Sequence, residues 1–300
     1  MRRGELSRRS DWYRLPAFAI AAVFVASAVA AVALARSGSI LADFLSFWAA
    51  GRLTAAGHPS WAYDFARHHA VEMQVVARIG ILPFPYPPPF LIVVTPFGLL
   101  PFWVALAGWI VVCAMLYLLA SRSVAEARFA LAQAGAAANF VTGQNGFLTS
   151  AIFISGMGLI ATRPFAAGAV LGLLCFKPQL AILLPVALIA GREWRAIAGG
   201  VASTIALLIA ALLLFGMDSY RGFLALLPHF SQWLSAGRWP WGEMASTFAM
   251  LRSVGVPAGP ALTVHAAIAL VAAGLTARAW AFRLDSRVPV LAAEIGRAHV

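Results

Sequence analysis

Long apolar runs dominate the chain and are separated by short polar segments. A helix needs about 20 apolar residues to cross the hydrocarbon layer of a membrane, and most of the runs approach that length. The short alternating segments of a membrane barrel do not occur. The pattern therefore predicts an all-α, polytopic transmembrane protein with about eight spans. We predict these spans at residues 15–35, 90–119, 129–141, 147–161, 165–176, 179–190, 196–215 and 258–281. The span at 90–119 is expected to be kinked near Pro96 and Pro101.

The apolar run at residues 165–190 allows two interpretations. As one long span, it would place Arg192 and Arg195 outside the cell. As two short legs that turn at Lys177-Pro178, it returns both arginines to the cytoplasm, where basic residues are favoured. Legs shorter than a full span are tolerated where they line a cavity. We favour the hairpin.

Two longer polar segments, at about 36–89 and 217–257, are predicted to be extracytoplasmic loops. The first loop is expected to contain short interfacial helices at 44–56 and 63–79. Residues 1–293 would then form a single multi-span membrane domain with a cytoplasmic N-terminus. The last seven residues, 294–300, match what a common sequencing adapter encodes. We interpret them as a non-native tail on a chain cut near residue 293.

Composition supports a membrane protein and argues against a nucleic-acid-binding one. The chain is 62% hydrophobic and 11% charged, with a mean hydropathy of +0.84, whereas soluble domains are about 45–50% apolar. Its formal net charge of +11 comes from arginines that lie in short clusters between apolar runs. Such clusters orient spans in a membrane. We expect a multi-pass protein of the cell (inner) membrane with its active face outside.

Three polar features are predicted to lie on that outer face. Lys177 is the only lysine in the chain; a compact ammonium suits a phosphate group, although it could also be a structural or snorkelling cation. Gln144 and Asn145 lie between glycines, where a simple tight turn is the alternative. Asp43 follows the first span and could alternatively cap a helix that begins at Phe44.

No cofactor is predicted, and metal dependence stays open. The chain has no phosphate-binding glycine loop, no dinucleotide-binding glycine pattern and no nucleophile elbow. The spacing of the outer-loop histidines does not resemble a metal site, and we interpret them as solvated loop residues. These histidines are His58, His68, His69 and His229.

The order of these features resembles glycosyltransferase family 87. The resemblance covers roughly residues 40–255, and each of its motifs is short, so its specificity comes from their order along the chain. The motifs are Asp43-Phe44, Trp48, Gly51, Tyr63, Tyr86-Pro87-Pro88, Gly143-Gln144-Asn145 and Lys177-Pro178.

This resemblance implies a GT-C type membrane enzyme that uses a polyprenol-phosphate-linked sugar, with mannose expected, and a lipid or glycan acceptor. Asp43 would be the catalytic base and Lys177 would bind the donor phosphate. Gln144, Asn145 and Tyr86 would contact substrate. One base and one cation suffice for a single displacement that inverts the anomeric carbon, whereas a retaining mechanism needs a second carboxylate.

Two other functions fit the same residues. A transporter or flippase for a lipid-linked or anionic substrate would also use broken helices and a lysine at membrane depth. A non-catalytic assembly subunit would not require Asp43 or Lys177. The polar residues collect at one predicted face, which favours transfer over transport.

Overall fold

The computed structural model describes residues 42–122, 134–237, 241, 244 and 246–282. Within these residues the chain is helical and contains no strands. The predicted first span at 15–35 and the tail at 294–300 lie outside the described residues. The helices are α1 Ala42–Ala55, α2 Phe65–Glu72, α3 Pro89–Gly98, α4 Phe102–Ser121, α5 Ala134–Thr142, α6 Gly146–Leu159, α7 Pro164–Gly172, α8 Pro178–Ala181, α9 Leu183–Ala190, α10 Trp194–Ser235, α11 Thr247–Ser253 and α12 Ala258–Ala281.

Helix α1 crosses α3 at a point where both helices lack side chains. Gly51 and Gly98 meet backbone to backbone, and a Cβ atom on either glycine would collide with the other helix. Two side chains reinforce the crossing: Trp48 Nε1 donates to the carbonyl of Leu100 at 3.0 Å, and Arg52 donates to the carbonyl of Gly98 at 3.3 Å. The crossing fixes where α1 begins, and therefore where Asp43 lies.

The chain reverses direction twice between α7 and α10. Gly168 packs against Ala196 and Gly172 packs against Gly200, and Thr204 Oγ1 donates to the carbonyl of Gly172 at 3.2 Å. Because these contacts advance in the same direction along both helices, α7 and α10 run parallel. The intervening helices α8 and α9 must therefore run back, which is the path that a hairpin at Lys177-Pro178 requires.

Helix α10 bends sharply at Gly216, whose φ of +73° is a backbone conformation that favours glycine. Beyond the bend, the helix packs against the first polar segment: Phe223 lies 5.9 Å from Tyr63, and Trp233 lies 5.2 Å from Phe65, between ring centroids. The two segments predicted as outer loops are therefore in contact with each other. These two segments, the first of which contains α1 and α2, form one layer at the Lys177 end of the helices, where Phe90 contacts both Phe47 of α1 and Phe176 beside Lys177.

Several predicted boundaries are wrong. The second span was expected at 90–119, but Pro101 is extended (ψ 144°) and separates α3 from α4, so the long helix begins only at Phe102. The interfacial helix expected at 63–79 is helical only over Phe65–Glu72. The segment predicted as an outer loop at 217–257 is not among these errors: it begins directly after the bend at Gly216 and contains the second half of α10 and all of α11. Its location outside the cell stays a prediction.

Fewer than eight long spans occur in the described part of the chain. Three helices are long and apolar enough to cross a membrane. The other apolar helices are shorter than a full span, and of the third predicted span, 129–141, residues 129–133 lie outside the described residues. The long helices are Phe102–Ser121, Trp194–Leu234 and Ala258–Ala281.

Four arginines collect at the end of the helices opposite Lys177. Arg163 precedes α7, and Arg192 and Arg195 flank the start of the parallel helix α10. Arg278 lies in the last turn of α12, where the neighbouring Trp280 contacts Gly191. This clustering is the distribution that the positive-inside rule associates with a cytoplasmic face.

We therefore expect the arginine end to be cytoplasmic and the layer around α1 and α2 to be extracytoplasmic. After replacement of the free cysteines Cys113 and Cys175, a cysteine at Ala225 should react with a membrane-impermeant maleimide in intact cells. A cysteine at Glu193 should react only after the membrane is permeabilised. Labelling of Glu193→Cys from outside would contradict this orientation and would remove Lys177 from the outer face.

Candidate functional site

Asp43 lies in the first turn of α1, where the partial positive charge of a helix N-terminus favours a carboxylate. Within the described residues α1 spans Ala42–Ala55, which places Asp43 beside the helix start. The next residue, Phe44, is fully buried, and its ring lies 5.8 Å from the rings of both Phe102 and Trp109. This packing anchors the start of α1 and with it the carboxylate.

Lys177 lies at the break between the 3-10 turn Leu173–Phe176 and α8, outside both apolar helices. Its side chain is 9% exposed, and Nζ donates to Oδ1 of Asn145 at 2.9 Å. Burial lowers the pKa of Lys177 to about 8, and the negative charge of Asp43 opposes that shift. Asp43 is therefore close enough to Lys177 to stabilise its charged form.

The turn that carries Gln144 and Asn145 is set by Gly143, which has a φ of +68°. A Cβ atom at Gly143 would collide with Cβ of Phe44, and the Gly143 carbonyl accepts from Trp109 Nε1 at 2.9 Å. The turn is therefore pressed against α1 and α4. Its glycine adopts the conformation that such turns favour, and the turn directs Asn145 to Lys177 and Gln144 to Tyr86.

Tyr86 reaches the same place from the proline-rich segment before α3. Its hydroxyl donates to Oε1 of Gln144 at 3.3 Å, and Oε1 also accepts the backbone N–H of Asn145 at 2.9 Å. Burial and the charge of Asp43 raise the pKa of Tyr86, so the phenol stays protonated and remains a donor. The structure therefore brings Asp43, Tyr86, Gln144, Asn145 and Lys177 together from four separate segments.

The amide of Asn145 offers a hydrogen-bond donor within this cluster. Because Oδ1 accepts from Lys177, the amide orientation is fixed and Nδ2 is directed elsewhere. Nδ2 is buried beside the Tyr86 hydroxyl, yet it makes no hydrogen bond of good geometry within the described residues. An ammonium and a neighbouring N–H donor suit an anionic ligand, and Asp43 supplies the one negative charge among these five side chains.

The prediction of solvated histidines is wrong for His68. Its side chain is 2% exposed and its Nε2 lies 3.3 Å from Oε1 of Glu72, whereas His58 and His229 are exposed as predicted. His69 is partly buried and lies 3.0 Å from the same carboxylate. The sequence did contain a signal for these contacts: on a helix, the spacing of His69 (i, i+3) and His68 (i, i+4) to Glu72 places both histidines beside that carboxylate.

One family model matches the chain: glycosyltransferase family 87, over residues 84–298. The match covers more than two thirds of the chain and includes Tyr86, Gln144, Asn145 and Lys177; it begins after Asp43. No curated protein and no solved structure shows a significant match.

Replacement of Gly143 tests whether its backbone conformation holds the site together. Gly143→Ala should lower the free energy of unfolding by about 1–2 kcal/mol from the left-handed conformation alone, with more from the collision with Phe44. Gly158→Ala is the matched control, since Gly158 is a helical residue of α6 with open space around it. Thermal unfolding of the purified protein in detergent would measure both, and equal melting temperatures would contradict this account of the turn.

Proposed function

Since the chain belongs to glycosyltransferase family 87, whose members are membrane glycosyltransferases, we propose that it transfers a sugar from a polyprenol-phosphate donor to an extracytoplasmic acceptor. Mannose is the sugar that we expect, and the acceptor is a lipid or glycan hydroxyl. The observation that carries the proposal is the convergence of Asp43 with Lys177 and Asn145 at the end of the helices opposite the arginines. The family description favours transfer over the transporter and assembly-subunit alternatives.

The donor end of the site consists of Lys177 and Asn145. Sugar transfer breaks the bond between the anomeric carbon and a phosphate oxygen, and the bonding electron pair leaves on that oxygen. The Lys177 ammonium would neutralise the departing phosphate, and Asn145 Nδ2 would donate to a second phosphate oxygen. Both groups are held in place before the donor binds, so little reorganisation is needed during the reaction.

The acceptor end of the site is Asp43. As the acceptor oxygen forms its bond to the anomeric carbon, its hydroxyl proton would pass to the Asp43 carboxylate. One carboxylate acting from the side opposite the phosphate gives a single displacement and inverts the anomeric configuration. Tyr86 stays protonated, so it would orient Gln144 and the sugar rather than act as a second base.

A retaining mechanism would need a second carboxylate beside the anomeric carbon. The other described outer-layer carboxylates have partners of their own: Asp64 accepts from the backbone of Arg67, Asp218 pairs with Arg221, and Glu72 pairs with His68 and His69. Glu243, the remaining sequence candidate, lies outside the described residues. These pairings support the inverting mechanism.

Asp43→Asn tests the base. The amide keeps the shape of the carboxylate but cannot accept a proton, and general base catalysis typically contributes about 10²–10⁴-fold. Membranes that hold Asp43→Asn should therefore transfer labelled sugar from polyprenol phosphate about 10²-fold or more slowly than wild type at matched protein level.

The matched control for Asp43→Asn is Asp218→Asn, since Asp218 is 78% exposed in the same layer, and it should transfer sugar within about twofold of wild type. An Asp43→Asn rate within a few-fold of wild type would assign the base to another residue.

Lys177 variants test the phosphate contact. Loss of a charge-assisted contact costs about 1.5–3 kcal/mol, so Lys177→Gln should lower kcat/KM for the donor roughly 10- to 150-fold. Lys177→Arg should restore only part of this, because a planar guanidinium does not replace a compact ammonium.

The pH dependence of kcat/KM distinguishes the charge of the Lys177 side chain from its shape. Burial lowers the pKa of Lys177, so its charge is lost as pH rises through about 8 rather than above 10. In wild type, kcat/KM for the donor should therefore fall above about pH 8, whereas Lys177→Arg should show no such fall because arginine stays charged. A wild-type profile that is flat across this range would contradict the role of the Lys177 ammonium.

A further inference from the structure

A buried carboxylate outside the proposed mechanism lies in the first polar segment. Glu72 ends α2 and its side chain is fully buried. Two imidazoles lie beside it: His69 Nδ1 forms a hydrogen bond with Oε2 at 3.0 Å. His68 Nε2 lies 3.3 Å from Oε1, an oxygen that makes no hydrogen bond within the described residues. Burial of a carboxylate is costly unless polar groups hold it, so its contacts should have a structural purpose.

Those contacts connect α2 to the segment that carries Tyr86. Glu72 Oε2 accepts the backbone N–H of Leu82 at 3.3 Å. Ser46 Oγ donates to the carbonyl of the next residue, Pro83, at 3.1 Å, and lies 3.3 Å from His68 Nε2. Ser46 is on α1, three residues after Asp43. The cluster therefore joins the helix that bears Asp43 to the segment that bears Tyr86.

The Tyr86 segment needs such external contacts because its prolines prevent it from forming regular backbone hydrogen bonds of its own. Between α2 and α3 it contains Pro83, Pro85, Pro87 and Pro88, which have no backbone N–H to donate. The few remaining backbone groups must find partners elsewhere. The Leu82 N–H donates to Glu72, and the Pro83 carbonyl accepts from Ser46. The Tyr86 carbonyl accepts from Tyr63 Oη at 3.1 Å.

We propose that Glu72 is a positioning residue of the site: its carboxylate, held between His68 and His69, fixes the segment from Leu82 to Tyr86 against α1, so that the Tyr86 hydroxyl stays at Gln144. Its effect on sugar transfer rests on the proposed function, whereas its effect on the segment does not. Glu72 acts through Leu82 and touches no reacting atom.

Hydrogen exchange measured by mass spectrometry tests the contact without any assay of activity. Loss of a hydrogen bond to a buried carboxylate should make the amides of the 79–88 peptide exchange about tenfold or more faster in Glu72→Ala. Glu72→Gln keeps one oxygen that can accept from Leu82 and should show a smaller increase. Ser46→Ala, which removes the contacts to Pro83 and His68 but leaves Glu72 in place, should show an intermediate increase and is a second test if Glu72→Ala folds poorly.

The matched control is Asp64→Ala. Asp64 caps the same helix at its other end by accepting the backbone N–H of Arg67 at 3.0 Å, so its loss weakens α2 without touching Leu82. Exchange in the 79–88 peptide should stay within about twofold of wild type. Equal exchange in Glu72→Ala and wild type, or an equal increase in Asp64→Ala, would overturn the proposal.

Transfer kinetics test whether the contact acts through Tyr86. Glu72→Ala should lower kcat/KM for the donor about tenfold, and it should add less than about twofold in a Tyr86→Phe background, because coupled residues are not additive. If the double variant folds and its loss of kcat/KM equals the product of the two single losses, Glu72 does not act through Tyr86 and the positioning proposal is overturned. If wild type shows no transfer from any polyprenol-phosphate sugar, the proposed function fails, and the exchange comparison still decides the role of Glu72.

Discussion

A buried ammonium is the constraint on which the candidate site depends. A lysine taken out of water loses its hydration, so the surrounding chain must supply oxygen atoms or the side chain loses its proton. At Lys177 these come from Asn145, through a 2.9 Å hydrogen bond, and from the nearby charge of Asp43. The need to satisfy one cation therefore draws three distant segments together, and each requires its own local support.

Each charge has its own local support, and helix α3 contributes to both. Asp43 is held by aromatic packing around Phe44, whose neighbours lie on α3 and α4. Lys177 is held by a helix break, and the adjacent Phe176 stacks on Phe90 with ring centroids 4.7 Å apart. The hydrogen bond from Tyr86 to Gln144 further links the segment before α3 to the turn that carries Asn145. Relative placement of base and cation thus depends on how well the Tyr86 segment is fixed.

The residue types and their order along the chain predicted the members of this cluster. The span boundaries and the contacts of Glu72 could be seen only in the structure. A single lysine in an apolar run, and an amide pair between glycines, are unusual enough to be seen in sequence. Hydropathy cannot show that Pro101 separates two helices, because both are apolar. It also cannot show that His68 is buried, since burial arises from the contacts of α2 with α1 and the proline-rich segment, far apart along the chain.

The position of the two charges also suits a lipid-linked donor. The phosphate of such a donor lies at the membrane surface because its polyprenol chain stays in the bilayer. Lys177 lies where two apolar helices end, and Asp43 lies in the first turn of α1. In the proposed orientation, Lys177 would meet an anionic headgroup at the outer membrane surface. A sugar extending outward from the phosphate would point from Lys177 towards Asp43, and the acceptor would approach from the outer side.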